Sequence, residues 1–178
     1  MSKVIDISLN PSSVNKAIKE VKRFARELNK QLDEVAKKTA EYAAEDAQNG
    51  YNGFYASGVG HIDVEVQKRR HAYAVHAEGR HARGADGEIV GNRVIFAEFG
   101  AGIWAGEGHP LAGSFGAYPG SFSETYGTGE FAENYKLGHG YWHYQGNVHL
   151  GYIGTKAMYY AGQNLTKHAQ RAIDEVLK

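Results

Sequence analysis

The chain has 178 residues, 20 Lys plus Arg against 20 Asp plus Glu, and no cysteine. That length supports one domain with a hydrophobic core, and a formal net charge of zero argues against a dedicated nucleic-acid binder with its basic footprint. Without thiols there are no disulfides and no cysteine-ligated zinc, which fits a reducing compartment.

The opening MSKVIDISLN is too short and too polar for a signal peptide, and no stretch approaches the roughly 20 apolar residues of a membrane span. Synthesis in the cytoplasm is therefore expected. The charge is unevenly spread: residues 1–38 hold 9 basic and 5 acidic side chains, leaving 11 and 15 for the remainder. Head-to-tail contact between identical subunits or a solvated helix face would each produce such an asymmetry.

Residues 10–49 read as one long amphipathic helix. Val14, Ile18, Val21, Leu28, Leu32 and Val35 recur at three-and-four spacing. Asn10 is placed to cap the helix with Pro11 in its first turn, and Asn49-Gly50 supplies a stop. The acidic cluster Glu41, Glu45 and Asp46 lies near the end that the macrodipole makes unfavourable, so a break near Thr39 is expected. Unbroken, the helix would outreach a compact domain, and part of it should pack on something else.

HIDVEVQ and HAYAVHA then alternate apolar and polar residues as two short strands, with the basic run Lys68, Arg69, Arg70 and His71 as a solvated turn between them. EGRHARGADGE marks a loop or hairpin tip. Ile89 to Phe99 reads as a third strand ending in the glycines of FAEFGAG. Residues 100–154 hold 14 of the 23 glycines, both tryptophans and many tyrosines without sustained period. They read as a long aromatic loop region, functional because loops of this length are otherwise uncommon. Residues 155–178 form a second amphipathic helix. The expected fold class is α+β: one domain, residues 1–178, with both helices packed on a small, mainly antiparallel sheet at 61–99 and a long Gly/Tyr-rich loop.

The chemical motifs fail in turn. Gly100-Ala101-Gly102 follows a strand signal, but Gly106 comes one place late for a dinucleotide-binding turn and no helix can follow Gly106, Gly108 and Pro110. GYIGTK reverses the lysine and threonine order of a phosphate loop. His139 and His143 stand four apart with His149 beyond, but they lie among glycines and lack the glutamate of a zinc protease helix. There is no serine elbow. Glu98 is the carboxylate to watch: it sits in an apolar run, where a structural hydrogen bond to a nearby amide accounts for it as well as acid or base chemistry does.

Several segments together carry a resemblance: EFGAG, then GHP, TYGTG and YWHYQG around Trp142, then GTKAMYYA leading into the last helix. In this order they resemble the head-to-tail joining, or tail-completion, family of long-tailed bacteriophages, whose members are also called minor tail components. The family commonly has threonine where Ala101 stands and often a proline-containing motif where GTKAMYYA stands.

The resemblance implies a structural protein of the virion neck or tail end, assembled in the bacterial cytoplasm as a homo-oligomeric, hexameric ring between the head connector and the tail-tube or tail-terminator proteins. DNA would pass nearby. It implies no enzyme activity, cofactor or metal. Aromatic, glycine-rich segments suit such contacts, and Phe99, Ile103, Trp104, Tyr126, Tyr141 and Trp142 are the candidate interface residues, with each one's own core as the competing destination. The alternatives are a small hydrolytic enzyme with a His/Glu loop pocket and a module that binds a peptide or glycan.

Overall fold

The computed structural model describes residues 11–53, 61–70, 72–79, 81–83, 89–102, 104–117, 130–135, 139–144, 147–149 and 151–177. Its architecture is α+β, with a long N-terminal helix, short antiparallel strand pairs and C-terminal helices.

Helix α1 (Pro11–Asn52) runs 42 residues without interruption, about 63 Å at the usual ~1.5 Å per residue. The break expected near Thr39 does not form. The Thr39 hydroxyl donates to the Val35 carbonyl at 2.8 Å, so its polar group is satisfied inside the helix. Two of the three acidic side chains in the cluster have hydrogen-bonding or charged partners. Glu41 pairs with Lys37 at 3.3 Å, and Asp46 meets the Asn164 amide at 3.0 Å and the His168 ring at 2.9 Å.

Nor does α1 stop at Asn49-Gly50. Gly50 is where α1 crosses α3 (Ala157–Gln163), since a Cβ there would lie 2.7 Å from that of Ala157. The glycine lets two helices touch and the helix runs two residues further. The Asn10 cap lies outside the described residues.

Strands β1 (Ile62–Lys68) and β2 (Tyr73–Gly79) pair antiparallel, with Val64 opposite Ala77 and Val66 opposite Val75. The turn between them closes through Arg69 N–H to Ala72 C=O at 2.8 Å. Gln48 of α1 docks on the open edge of β1. Its amide donates to the Ile62 carbonyl at 2.9 Å and accepts from Val64 N–H at 2.8 Å, standing in for a neighbouring strand.

Strands β3 (His81–Arg83) and β4 (Ile89–Asn92) form a separate hairpin, so the expected three-stranded sheet is instead two strand pairs. The run from Ile89 to Phe99 is not one strand either. After β4 the chain turns into helix α2 (Arg93–Phe99). The reason lies in burial. Val94 and Ala97 face a core cluster of Tyr51, Ile62 and Ala157, while Ile95, Phe96 and Phe99 face a second cluster with Ala105 and Ala117. A short helix buried on both sides has the same continuous apolar run as a buried strand, and period cannot separate them.

The span 100–154 contains more regular structure than the expected loop. Strand β5 (Gly100–Gly102) pairs with β9 (Gly151–Ile153), and β6 (Glu130–Tyr135), β7 (His139–Tyr144) and β8 (Asn147–His149) form a three-stranded antiparallel sheet. A single 3₁₀ turn covers Ala112–Phe115. The C-terminal helix is divided at Asn164 into α3 and α4 (Leu165–Val176). Asn164 gives its side chain to Asp46, and this anchors the division against α1.

Candidate functional site

Glu98, the next-to-last residue of α2, is 7% exposed. Its carboxylate accepts four hydrogen bonds. Oε1 takes the Tyr159 N–H at 3.0 Å and faces His109 Nε2 at 3.2 Å; Oε2 takes the Tyr51 hydroxyl at 2.9 Å and the Met158 N–H at 3.0 Å. The two amides are the second and third of α3, whose own cap, Lys156, offers no side-chain bond. A carboxylate from a distant helix thus fills the capping role, in a place where the helix dipole favours negative charge.

His109 is as buried as Glu98, and its tautomer follows from its second contact. Nδ1 accepts the Leu111 N–H at 3.1 Å, so it carries no proton; Nε2 carries the proton and donates it to Glu98. The pair at 3.2 Å is therefore a hydrogen bond from a neutral imidazole, although its distance alone would also pass for an ion pair. Tyr51 remains a neutral donor as well, because burial, the Glu98 charge and the bond to Glu98 all push its phenol upward.

Backbone contacts tighten the same junction. Thr155 N–H donates to the Ala97 carbonyl at 2.7 Å, Lys156 N–H to that of Glu98 at 3.2 Å, and Gly106 N–H to that of Phe99 at 2.7 Å. A Cβ at Gly154 would overlap the Glu98 carbonyl, and one at Gly106 the Ala117 carbonyl. Lys156 holds the left-handed conformation, φ 57°, that turns the chain from β9 into α3. The turn after β5 and the start of α3 are both fastened to the end of α2.

Chemically the cluster is saturated. The four bonds to the carboxylate occupy both oxygens and both imidazole nitrogens are engaged, so neither residue has a free site to exchange a proton with a substrate. The cluster itself lines a largely apolar concavity of about 260 Å³, in which Tyr51, Glu98 and His109 are joined by Ile95, Phe99 and Leu111. Among the described residues no group of three His, Cys, Asp or Glu side chains could hold a metal ion. His139 and His143 fall on β7. No helix among the described residues is long and apolar enough to cross a membrane.

The candidate interface residues separate. Phe99 lies in the second core cluster, its ring 4.3 Å from that of His109 and 5.1 Å from that of Phe115. This side chain serves the chain's own core. Trp104 is half-buried at the head of the next turn. Tyr141 and Trp142 occupy β7, where Tyr141 pairs with Ala132, and Trp142 pairs with Phe131 on one side and His149 on the other. Ile103 and Tyr126 lie outside the described residues.

Glu98 was legible in the sequence as a carboxylate in an apolar run. Tyr51 and His109 were not singled out, because their roles depend on a partner 47 and 11 residues away. The only local signal for His109 was its place in GHP. In comparisons with known proteins, the chain matches no protein family, no curated protein and no solved structure.

Proposed function

We propose that this chain is a structural assembly subunit of the neck or tail end of a long-tailed bacteriophage, one copy of a ring between the head connector and the tail. One observation carries the reading. Three of the segments behind the resemblance, EFGAG, GHP and GTKAMYYA, converge on the saturated cluster of Glu98, His109 and the amides of Met158 and Tyr159. These segments hold the backbone together, and at the point where they meet the carboxylate of Glu98 and both ring nitrogens of His109 are taken up in hydrogen bonds.

The surface supports the same reading. No large side chain among the described residues is fully buried, and the buried core is built mainly from alanines. A subunit with a thin core and a large apolar surface gains most of its remaining burial on assembly.

The test is genetic and microscopic. A phage carrying a nonsense codon in this gene is expected to yield DNA-filled heads and separate, complete tails in a non-suppressing host, with joining restored by adding the purified protein. Normal joined virions from that mutant would overturn the proposal.

A further inference from the structure

The two edges of the β1–β2 hairpin differ. Opposed residues of an antiparallel pair point their N–H and C=O groups either at each other or both away. Gln48 takes the Ile62 carbonyl and the Val64 N–H from outside, so the pairs Val64–Ala77, Val66–Val75 and Lys68–Tyr73 are of the second kind. The backbone groups on the far edge of the hairpin are therefore those of Tyr73, Val75 and Ala77, and among the described residues no hydrogen bond reaches them. An unpaired edge of this kind is a template for another strand.

Under that edge lies an apolar groove of about 310 Å³. Tyr73 and Val75 of β2 line it, with no residue of β1; Ala36 and Ala40 of α1 and Gly162 and Leu165 of the C-terminal helices complete it. It thus extends the layer between hairpin and α1 beyond β2. The hydroxyls of Thr39 and Tyr73 at its side are spent on Val35 and Asp33, which leaves hydrocarbon facing an occupant. A cavity of about 150 Å³ holds one benzene-sized group, and twice that takes two or three aliphatic side chains. A strand added to β2 would send every second side chain into the groove, because residues opposite Tyr73, Val75 and Ala77 share their face.

The sequence contains a segment with that pattern. Residues 3–9, KVIDISL, match β2 in length and set Ile5, Ile7 and Leu9 against Asp6 and Ser8. They lie outside the described residues, but their point of attachment decides whose groove they can fill. Pro11 opens α1, and Ala36, the first residue of α1 at the groove, stands 25 residues further on, about 38 Å along the axis. Leu9 precedes Pro11 by two residues, about 7 Å of extended chain. The groove of its own chain is thus on the order of 30 Å out of reach.

We infer that residues 3–9 of one copy of this chain pair with the open edge of β2 in a neighbouring copy, with Ile5, Ile7 and Leu9 in the groove. The inference deepens the assembly reading above and rests on it for the neighbour. Each copy gives a strand at one end and receives one at the other, a head-to-tail contact that closes into a ring when the rotation between copies allows.

The chain has no cysteine, and a Cβ at Gly162 would meet nothing within 4 Å, so thiols can be placed in groove and segment separately. Full-length Gly162→Cys is mixed under mild oxidation with full-length Ile5→Cys, Ile7→Cys or Leu9→Cys. At least one of the three mixtures should give disulfide-linked heterodimers. Asp6→Cys and Ser8→Cys, on the opposite face of the added strand, should give none. In sedimentation, Ile5→Asp with Ile7→Asp should weaken self-association about tenfold or more, with the circular dichroism of the chain unchanged.

Heterodimers only through Asp6→Cys or Ser8→Cys, or none at all, would overturn the inference. So would self-association that survives both aspartates, which would put another occupant on the edge, and so would a wild type that stays monomeric at every concentration. A disulfide closed within one chain of Ile7→Cys with Gly162→Cys at high dilution would refute the exchange between copies. Joined virions from the nonsense mutant would remove the neck function and leave a cross-linked strand standing; failure to cross-link alongside detached tails would do the reverse.

Discussion

The Tyr51 hydroxyl meets the Glu98 carboxylate at 2.9 Å, tying the last turn of the 42-residue helix to the end of α2. Through the other oxygen and two backbone amides the same carboxylate holds His109 and the start of α3. Four segments of chain share one anion.

Glu98→Gln tests that sharing. Each carboxylate oxygen receives two donors, so an amide in its place turns its NH₂ toward two of them. The expected loss is about 3 kcal/mol, the cost of buried donors left without acceptors. Urea denaturation of the full chain measures it, and an unchanged midpoint would refute the capping role.

Tyr51→Phe removes one donor and orphans nothing, because the carboxylate keeps three bonds. A loss of only about 1 kcal/mol is expected. The contrast between the two variants in the same denaturation series distinguishes an acceptor-centred lock from ordinary core packing, in which the larger, aromatic residue would matter more.

The tautomer of His109 is directly observable. Long-range ¹H–¹⁵N spectra should show Nε2 protonated and Nδ1 bare at neutral pH, as the Leu111 amide requires. A protonated Nδ1 would contradict the geometry.

Two glycines should respond in opposite directions to alanine. At Gly154 a Cβ would run into the Glu98 carbonyl, and the variant should lose about 3 kcal/mol or more, by the cost of overpacking. At Gly162, inside α3, nothing lies within 4 Å of the new methyl. There Gly→Ala should gain about 0.5–1 kcal/mol, from helix propensity and reduced unfolded-state freedom. Thermal melting of both variants is the measurement.

Acid should loosen the seam between α1 and α4. Hydrogen bonds from Tyr42 first, then Lys38 and Arg171, hold the Glu175 carboxyl at about 2, well below its ordinary 4.5. A carboxylate depressed on folding contributes stability that is present above about 4.5 and disappears as the pH falls toward 2. The difference in melting temperature between wild type and Glu175→Gln should therefore be positive at neutral pH and shrink across that window. A constant difference would show that the cluster contributes nothing on folding.

The parts of the fold legible in sequence are those written in local period. The stripe on α1, the alternation in β1 and β2 and the apolar face of the last helices each repeat within a few residues, and each formed. Residues 93–99 were misread as strand because burial on two sides erases the period that would mark a helix. The strands within 130–149 escaped notice because they are short and their residues, EFAENY, HGYWHY and NVH, show no apolar and polar alternation. Gly50 was read as a stop because the sequence cannot show Ala157 packed against it. For the site, Glu98 announced itself as a charge among apolar neighbours, whereas Tyr51 and His109 become polar partners only after the chain has folded back.

The spacing of the Glu98 partners also orders events during synthesis. Tyr51 is made before the carboxylate and His109 shortly after it, but the two amides that cap α3 come 60 and 61 residues later. Until those residues leave the ribosome, burying Glu98 would leave half of its acceptor capacity unmet, and the carboxylate is better served by water. Completing the carboxylate's shell therefore requires the segment carrying α3, and it joins residues made far apart in time.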